Sequence, residues 1–341
     1  MNRFISYHLV DRILPYDEVI MRKDCLKHWD QDLCDPEEFC ETMCPGTIMR
    51  FCYPQEKLYI NRKGLKGNAE VEGVRVLKPS ESGLSIQDCP NGIYHYIDNI
   101  LEYSTEVRDV VLNCRIRFDS TVLSPDFYNS DRPLYDENHL RGYRLDYIKN
   151  WKVMGEKAVI GLHGEGPWWQ HYKSNGITVS GIFDLTIKLP PVPSGTYEIR
   201  TGYTANAERG VVQFYLNNVP CGIPADLRIM GNDPSIGWVA DVTGDDAESR
   251  NANKAIDKAM HNRGYMKGMD CYWQGAAKEN ALRNLVNNLR YVLATQYLDE
   301  NETYYLRCRQ VLKDPTCYWS FDYLELCPKS VYGSPEGEDT H

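Results

Sequence analysis

The sequence predicts a mainly β protein with some α structure, arranged as two modules. Three observations carry this. Past residue 105, apolar and polar residues alternate with period two, as half-buried strands require: Phe183, Leu185, Ile187 and Leu189 against Asp184, Thr186 and Lys188, then Val212, Phe214 and Leu216 against Gln213 and Tyr215. Short turns separate these runs up to residue 333, the pattern of a β-sandwich. And 341 residues exceed what one ordinary core holds, so two domains is the natural division.

In residues 1–104, short strands surround one helical patch. Asp35-Pro36-Glu37-Glu38 has the form of a helix start, with a capping carboxylate, a proline at the first position and acids in the first turn. That helix should end near Cys44-Pro45-Gly46. Leu58-Tyr59-Ile60 and Val74-Arg75-Val76-Leu77 read as strands, with a turn at Asn61-Arg62-Lys63-Gly64. Asn91-Gly92 signals a tight turn.

From residue 105, Leu112, Cys114, Ile116 and Phe118 open the sandwich as an alternating strand. Tyr197, Ile199, Thr201 and Tyr203 form another, entered through Pro193-Ser194-Gly195. Arg290–Leu298 also fits a helix, but Asp299-Glu300-Asn301-Glu302 reads as the turn of a hairpin leading into Thr303–Cys308. Tyr318–Leu326 is the closing strand. An insertion at 224–288 is polar and rich in Gly and Asp, with a helix expected around Lys278–Asn287; long loops of this kind are often functional. Residues 334–341 read as a disordered tail.

Composition narrows the partners. A net charge of −10, with no basic stripe, disfavours nucleic acid. No apolar run is long enough to span a bilayer, and the first residues do not read as a signal peptide. Twelve cysteines lack zinc-ligand spacing, Cys40 and Cys44 coming nearest, and read as core thiols or one or two disulfides.

The run Asn91-Gly92-Ile93-Tyr94-His95-Tyr96-Ile97-Asp98-Asn99-Ile100-Leu101 resembles the second signature box of fasciclin (FAS1) domains. Phe4–Val10 resembles the Tyr-His strand of that family, Gly46-Thr47-Ile48 sits near where its Thr-Leu strand would lie, and Leu58–Asn61 and Gly73–Leu77 resemble its later strands, in the right order. The resemblance covers residues 1–104 and enters the fold at its middle. It implies a partial α+β FAS1 domain, open to association through its incomplete half. Gly195–Arg200, Val212–Asn217, Tyr304–Arg307 and Phe321–Leu326 resemble the jelly-roll, carbohydrate-binding-like sandwiches that follow fasciclin domains in bacterial surface lipoproteins. That implies a sandwich over 105–333 and a place outside the cell or on the outer-membrane surface.

The resemblance gives Asn91, Gly92, His95 and Asp98 a structural role, His95 bonding a backbone carbonyl. It makes Tyr7-His8 a candidate adhesion motif. The residues themselves suggest a sugar-stacking set of Trp168, Trp169 and Tyr172 after the Gly164–Pro167 loop, with Trp238, Tyr265, Tyr272 and Trp273 in the insertion. Asp241, Asp245 and Asp246 around Gly244 are the candidate Ca²⁺ ligands; no other cofactor is expected. No phosphate loop, nucleophile elbow, zinc-protease helix or dinucleotide fingerprint is present. The expectation is a non-catalytic surface protein holding a glycan on exposed aromatics. Its rivals are a scaffold contacting another surface protein and, as a minor reading, a glycoside-active enzyme.

Overall fold

The computed structural model describes residues 2–20, 23–82, 89–129, 141–143, 148–164, 170–274, 280–334 and 339–341, and they form a mainly β protein with some α structure. Four short strands make one antiparallel sheet: β1 (Glu37–Glu41), β2 (Ile48–Cys52), β3 (Tyr59–Ile60) and β4 (Val74–Arg75). The large sheet contains β5 (Ile116–Asp119), β6 (Trp151–Gly164), β7 (Asn175–Lys188), β8 (Gly195–Thr204), β9 (Val211–Leu216), β10 (Tyr265–Lys267), β11 (Asn288–Leu298), β12 (Tyr305–Gln310) and β13 (Tyr318–Pro328). Its order is β9-β12-β7-β13-β8-β11-β10, with β6 on β7 and β5 on β13.

β7 serves both halves of this sheet. Its first part, Ile177–Ser180, pairs with β13, and its second, Asp184–Lys188, pairs with β12. Between them the register against β6 slips at Gly181. There φ is +89°, and a β-carbon would lie 2.3 Å from the Lys157 carbonyl oxygen. A bulge of this kind bends a strand, and only glycine fits it. The sheet curls so that Phe214 of β9 meets Trp319 of β13 at 5.5 Å and Tyr291 of β11 at 6.1 Å. Gly181→Ala is expected to cost about 1–3 kcal/mol, read from denaturant unfolding.

The small sheet shares its core with the large one. The buried residues form one cluster running from Tyr7 to Leu326, and Phe39 of β1 meets Phe118 of β5 at 6.0 Å. This packing overrides the helix start at Asp35. Residues 37–41 are a strand, because Phe39 and Cys40 are fully buried and both neighbouring acids have cationic partners. Glu37 takes Arg50 at 2.8 Å, and Glu38 takes Lys173 at 2.5 Å, the latter pair fully buried.

Beside that pair Asp119 is also fully buried. Its Oδ1 accepts the Thr121 amide at 2.9 Å and hydroxyl at 2.5 Å. Burial, then the Glu38 charge, push its pKa up to about 7. A carboxyl raised on folding stabilises fully below its unfolded value of about 3.9, and that stability is lost as pH rises through 7. Asp119→Asn should therefore flatten the decline in Tm between those two pH values, which thermal melts across pH would detect.

Other expectations are corrected. β11 and β12 are not a hairpin: β8, β13 and β7 lie between them, so the 299–303 turn crosses from one half of the curled sheet to the other. The insertion's helix is Ala247–His261, capped by Asp246, while Asn280–Ala281 is a strand and Leu282–Asn284 a single 3₁₀ turn. Of the strand expected from Leu112, only Ile116–Asp119 forms, after a helical turn at Val107–Val111. Residues 339–341 of the expected disordered tail are placed, with Asp339 buried among arginines. Every cysteine whose side chain is described is a free thiol.

Candidate functional site

Most residues singled out in the sequence hold the fold. Trp168 and Trp169 lie outside the described residues. Tyr172 and Tyr272 are fully buried, 5.6 Å apart, and each packs edge-on against Trp29. This corrects their reading as ligand contacts: an apolar cluster under the sheet leaves them no exposed face. Trp238, Tyr265 and Trp273 are half-buried. Trp238 donates to the Arg283 carbonyl at 3.4 Å and lies under the Lys267 ammonium. Tyr265 packs on Tyr291 at 5.0 Å, and the Trp273 carbonyl bonds the His28 ring at 2.9 Å.

The three aspartates do not form one ligand set. Asp241 bonds Lys267 and Arg283, each at 2.5 Å, which hold its carboxyl below the usual range against the opposing effect of burial. Asp246 caps the helix through Ser249 at 2.9 Å, and Asp245 is exposed. No cluster of three metal-ligating side chains occurs among the described residues.

Tyr7 is buried, its hydroxyl accepting from Asn61 at 2.8 Å. His8 donates from Nδ1 to the Phe4 carbonyl at 2.8 Å and accepts the Leu101 amide on Nε2 at 3.4 Å. Asn91 lies at the tip of a turn closed between Cys89 and Gly92. His95 bonds the Leu14 carbonyl at 2.7 Å, the backbone contact expected for it, and Asp98 accepts the Arg75 amide at 2.9 Å.

The feature with unspent binding capacity lies elsewhere, around the 299–303 turn. One cavity is lined by the turn itself, and two more are lined by other segments. One of about 220 Å³ is lined by Glu41, Lys188, Glu300, Asn301, Glu302 and Thr303, with prolines and glycine on its walls. One of about 280 Å³ opens among Arg108, Asp109, Asn113, Ser194 and Lys329, and one of about 270 Å³ beside Tyr7 and Tyr103. The Glu300 amide donates to Ser194 Oγ at 3.0 Å, which fixes the turn.

Among the described residues, Glu300 Oε2 is shielded from solvent yet accepts no hydrogen bond, and the buried Tyr103 hydroxyl is likewise unpaired. Burial, then the Glu300 charge, push the Tyr103 phenol up. An unmatched buried acceptor costs about 1–3 kcal/mol, and more when charged. A hydroxyl donor entering here would offset that.

Lys188 joins this cavity to the wet face of the sheet. Its register partner is Tyr305, so the two side chains point the same way. Tyr305 is 46% exposed. Next along β12, Arg307 grips Asp184 at 2.7 and 2.5 Å and lies 5.3 Å over the Tyr215 ring. An open ring, a fixed guanidinium and a polar cavity thus sit side by side. The alternation of Tyr305, Leu306 and Arg307 marks two of these residues as outward-facing in the sequence. Nothing local marks Glu300, whose environment comes from the Pro191–Ser194 segment and from Gly46.

Comparison with known proteins gives no family. No family model matches the chain, and no curated protein matches it. Among solved structures, a Paenibacillus xanthan lyase is similar at TM-score 0.31 and 9% identity, over 82% of this chain and 20% of that one. An exo-β-1,3-galactanase from Phanerochaete chrysosporium is similar at TM-score 0.26 and 8% identity, over 55% and 29%. The Agl-KA catalytic domain is similar at TM-score 0.24 and 13% identity, over 58% and 29%. The matched parts are less than a third of those chains, and at these scores the likenesses carry no argument about activity.

Proposed function

We propose that the protein is a non-catalytic saccharide-binding protein of the cell surface. A sugar residue enters the cavity lined by Glu300 and lays its apolar face on Tyr305. The observation that supports this is a small polar cavity lined by Glu300, whose Oε2 is buried without a partner among the described residues, with the exposed Tyr305 two residues past its Thr303 wall. Sugar hydroxyls are donors that a carboxylate takes well, and C–H groups pack on an electron-rich ring. The fasciclin and jelly-roll resemblances enter only as the reason to seek the ligand outside the cell.

A glycan array followed by calorimetry on the full chain tests the reading. Glu300→Gln should weaken binding by about 1.5–3 kcal/mol, roughly tenfold to over a hundredfold, and Tyr305→Ala by about 1 kcal/mol, both with folding intact. Binding that both variants retain would exclude this site, and a folded parent that binds no glycan would end the proposal. Turnover of a chromogenic glycoside, lost in Glu300→Gln, would instead make Glu300 catalytic.

A further inference from the structure

Residues 339–341 are held in the manner of a bound peptide. Three successive carbonyls are each met by a donor: Asp339 O by Arg290 at 2.7 Å, Thr340 O by the Asp270 amide at 3.0 Å, and His341 O by Arg117 at 2.7 Å and Arg290 at 3.3 Å. Both charged side chains are met as well. Asp339 takes Arg115 at 2.5 Å and Arg200 at 2.8 Å, one on each oxygen, and the His341 ring bonds Asp270 at 2.8 Å. Arg117, Arg200 and Arg290 come from β5, β8 and β11, Arg115 immediately precedes β5, and Asp270 follows β10, so the pocket is built by the sheet and its flanks and not by the tail.

The charges fit an acidic occupant. Arg115, Arg117, Arg200 and Arg290 face Glu325 and Glu198, and Glu198 also bonds His261 at 2.7 Å. Without Asp339, cations outnumber anions in this buried space. Two donors are unspent even with Asp339 in place: Arg200 Nη2 and Arg115 Nε are buried without a hydrogen-bond partner among the described residues.

We infer that the four-arginine pocket is an acidic-peptide site, specific for an Asp-x-His segment and occupied in cis by Asp339–His341. The occupant in trans is then the same segment of a second copy, or an acidic peptide of the same pattern. The tethered segment competes at high effective concentration, so the site shows itself when the cis contact is weakened.

The test uses the full chain with Asp339→Asn and a fluorescein-labelled peptide spanning residues 333–341, followed by fluorescence polarisation. The variant should bind the peptide about tenfold or more tightly than the parent does. The same peptide carrying Asn at position 339 should not bind, and high salt should weaken the interaction. Equal polarisation for folded variant and parent would overturn the inference.

Hydrogen exchange on the unaltered chain decides the matter if the variant does not fold. A docked ligand opens locally, so the Asp270 amide, which donates to the Thr340 carbonyl at 3.0 Å, should exchange faster than those of β8 and β13, and faster still in high salt. Exchange of that amide only with global unfolding would make the segment part of the core and end the proposal.

Discussion

Glu325→Gln is expected to cost about 3–5 kcal/mol of stability at neutral pH. The carboxylate is fully buried and bonds Arg117 at 2.6 and 2.9 Å and Arg200 at 2.7 Å, with Arg290 at 3.4 Å. A neutral amide leaves those guanidinium groups buried with one anion fewer, and desolvated charge without a partner is what makes such breaks expensive. Burial alone would raise the pKa of Glu325, yet Arg117, Arg290 and Arg200 bring it down to about 2.

A lowered carboxyl contributes its stability above the unfolded value of about 4.3 and loses it as pH falls through 2. The gap between parent and variant should therefore be full at pH 7 and shrink across that acid window. Urea titrations at several pH values measure it. A gap that does not change with pH would show that packing, and not charge, is what the glutamine removes.

Lys173→Met is the second large effect, again about 3–5 kcal/mol. Lys173 donates to Glu38 at 2.5 Å and to the Glu37 carbonyl at 2.7 Å, all of it buried between the small sheet and the large one. Without the ammonium, Glu38 is a lone buried charge. Burial already raises its pKa despite Lys173, so its ionisation works against folding as pH rises. The pKa of Glu38 is shifted in the opposite direction to that of Glu325, yet the deficit runs the same way with pH: for Lys173→Met it should be greatest in alkaline solution and shrink below about pH 4, where Glu38 is protonated in both states. Adding Glu38→Leu to Lys173→Met should recover most of the loss, since an apolar pair of similar volume replaces a buried ion pair at little cost. Failure of that rescue would show that the hydrogen bonds to Glu37 and Phe39 dominate the site.

The aromatics show where reading the sequence succeeds and where it stops. The alternation through Phe183–Leu189 and Val212–Leu216 was enough to place strands β7 and β9, although Gln213, on the face of β9 expected to be wet, is buried. It could not say that Tyr172 and Tyr272 would meet under the sheet. Tyr172 stands between His171 and Lys173, and Tyr272 between Cys271 and Trp273, whereas the rings they pack against, Trp29 for both and Tyr323 for Tyr172, lie far along the chain. The Asp35 cap signal failed for the same reason. A helix start is worth about 1 kcal/mol, whereas burying Phe39 against Phe118 outweighs it.

The sequence by itself determined the class of this protein, because period-two alternation is a local property of the chain and survives any tertiary arrangement. The same period runs through Tyr305, Leu306 and Arg307, which the sequence places in a strand after the 299–302 turn. Only the tertiary structure decided that β7 serves both halves of the sheet through Gly181, that Glu300 is a shielded acceptor at a cavity, and that four arginines from separate segments converge on Asp339. Burial and pairing of charge depend on groups distant in sequence, and no local pattern encodes which of them will meet.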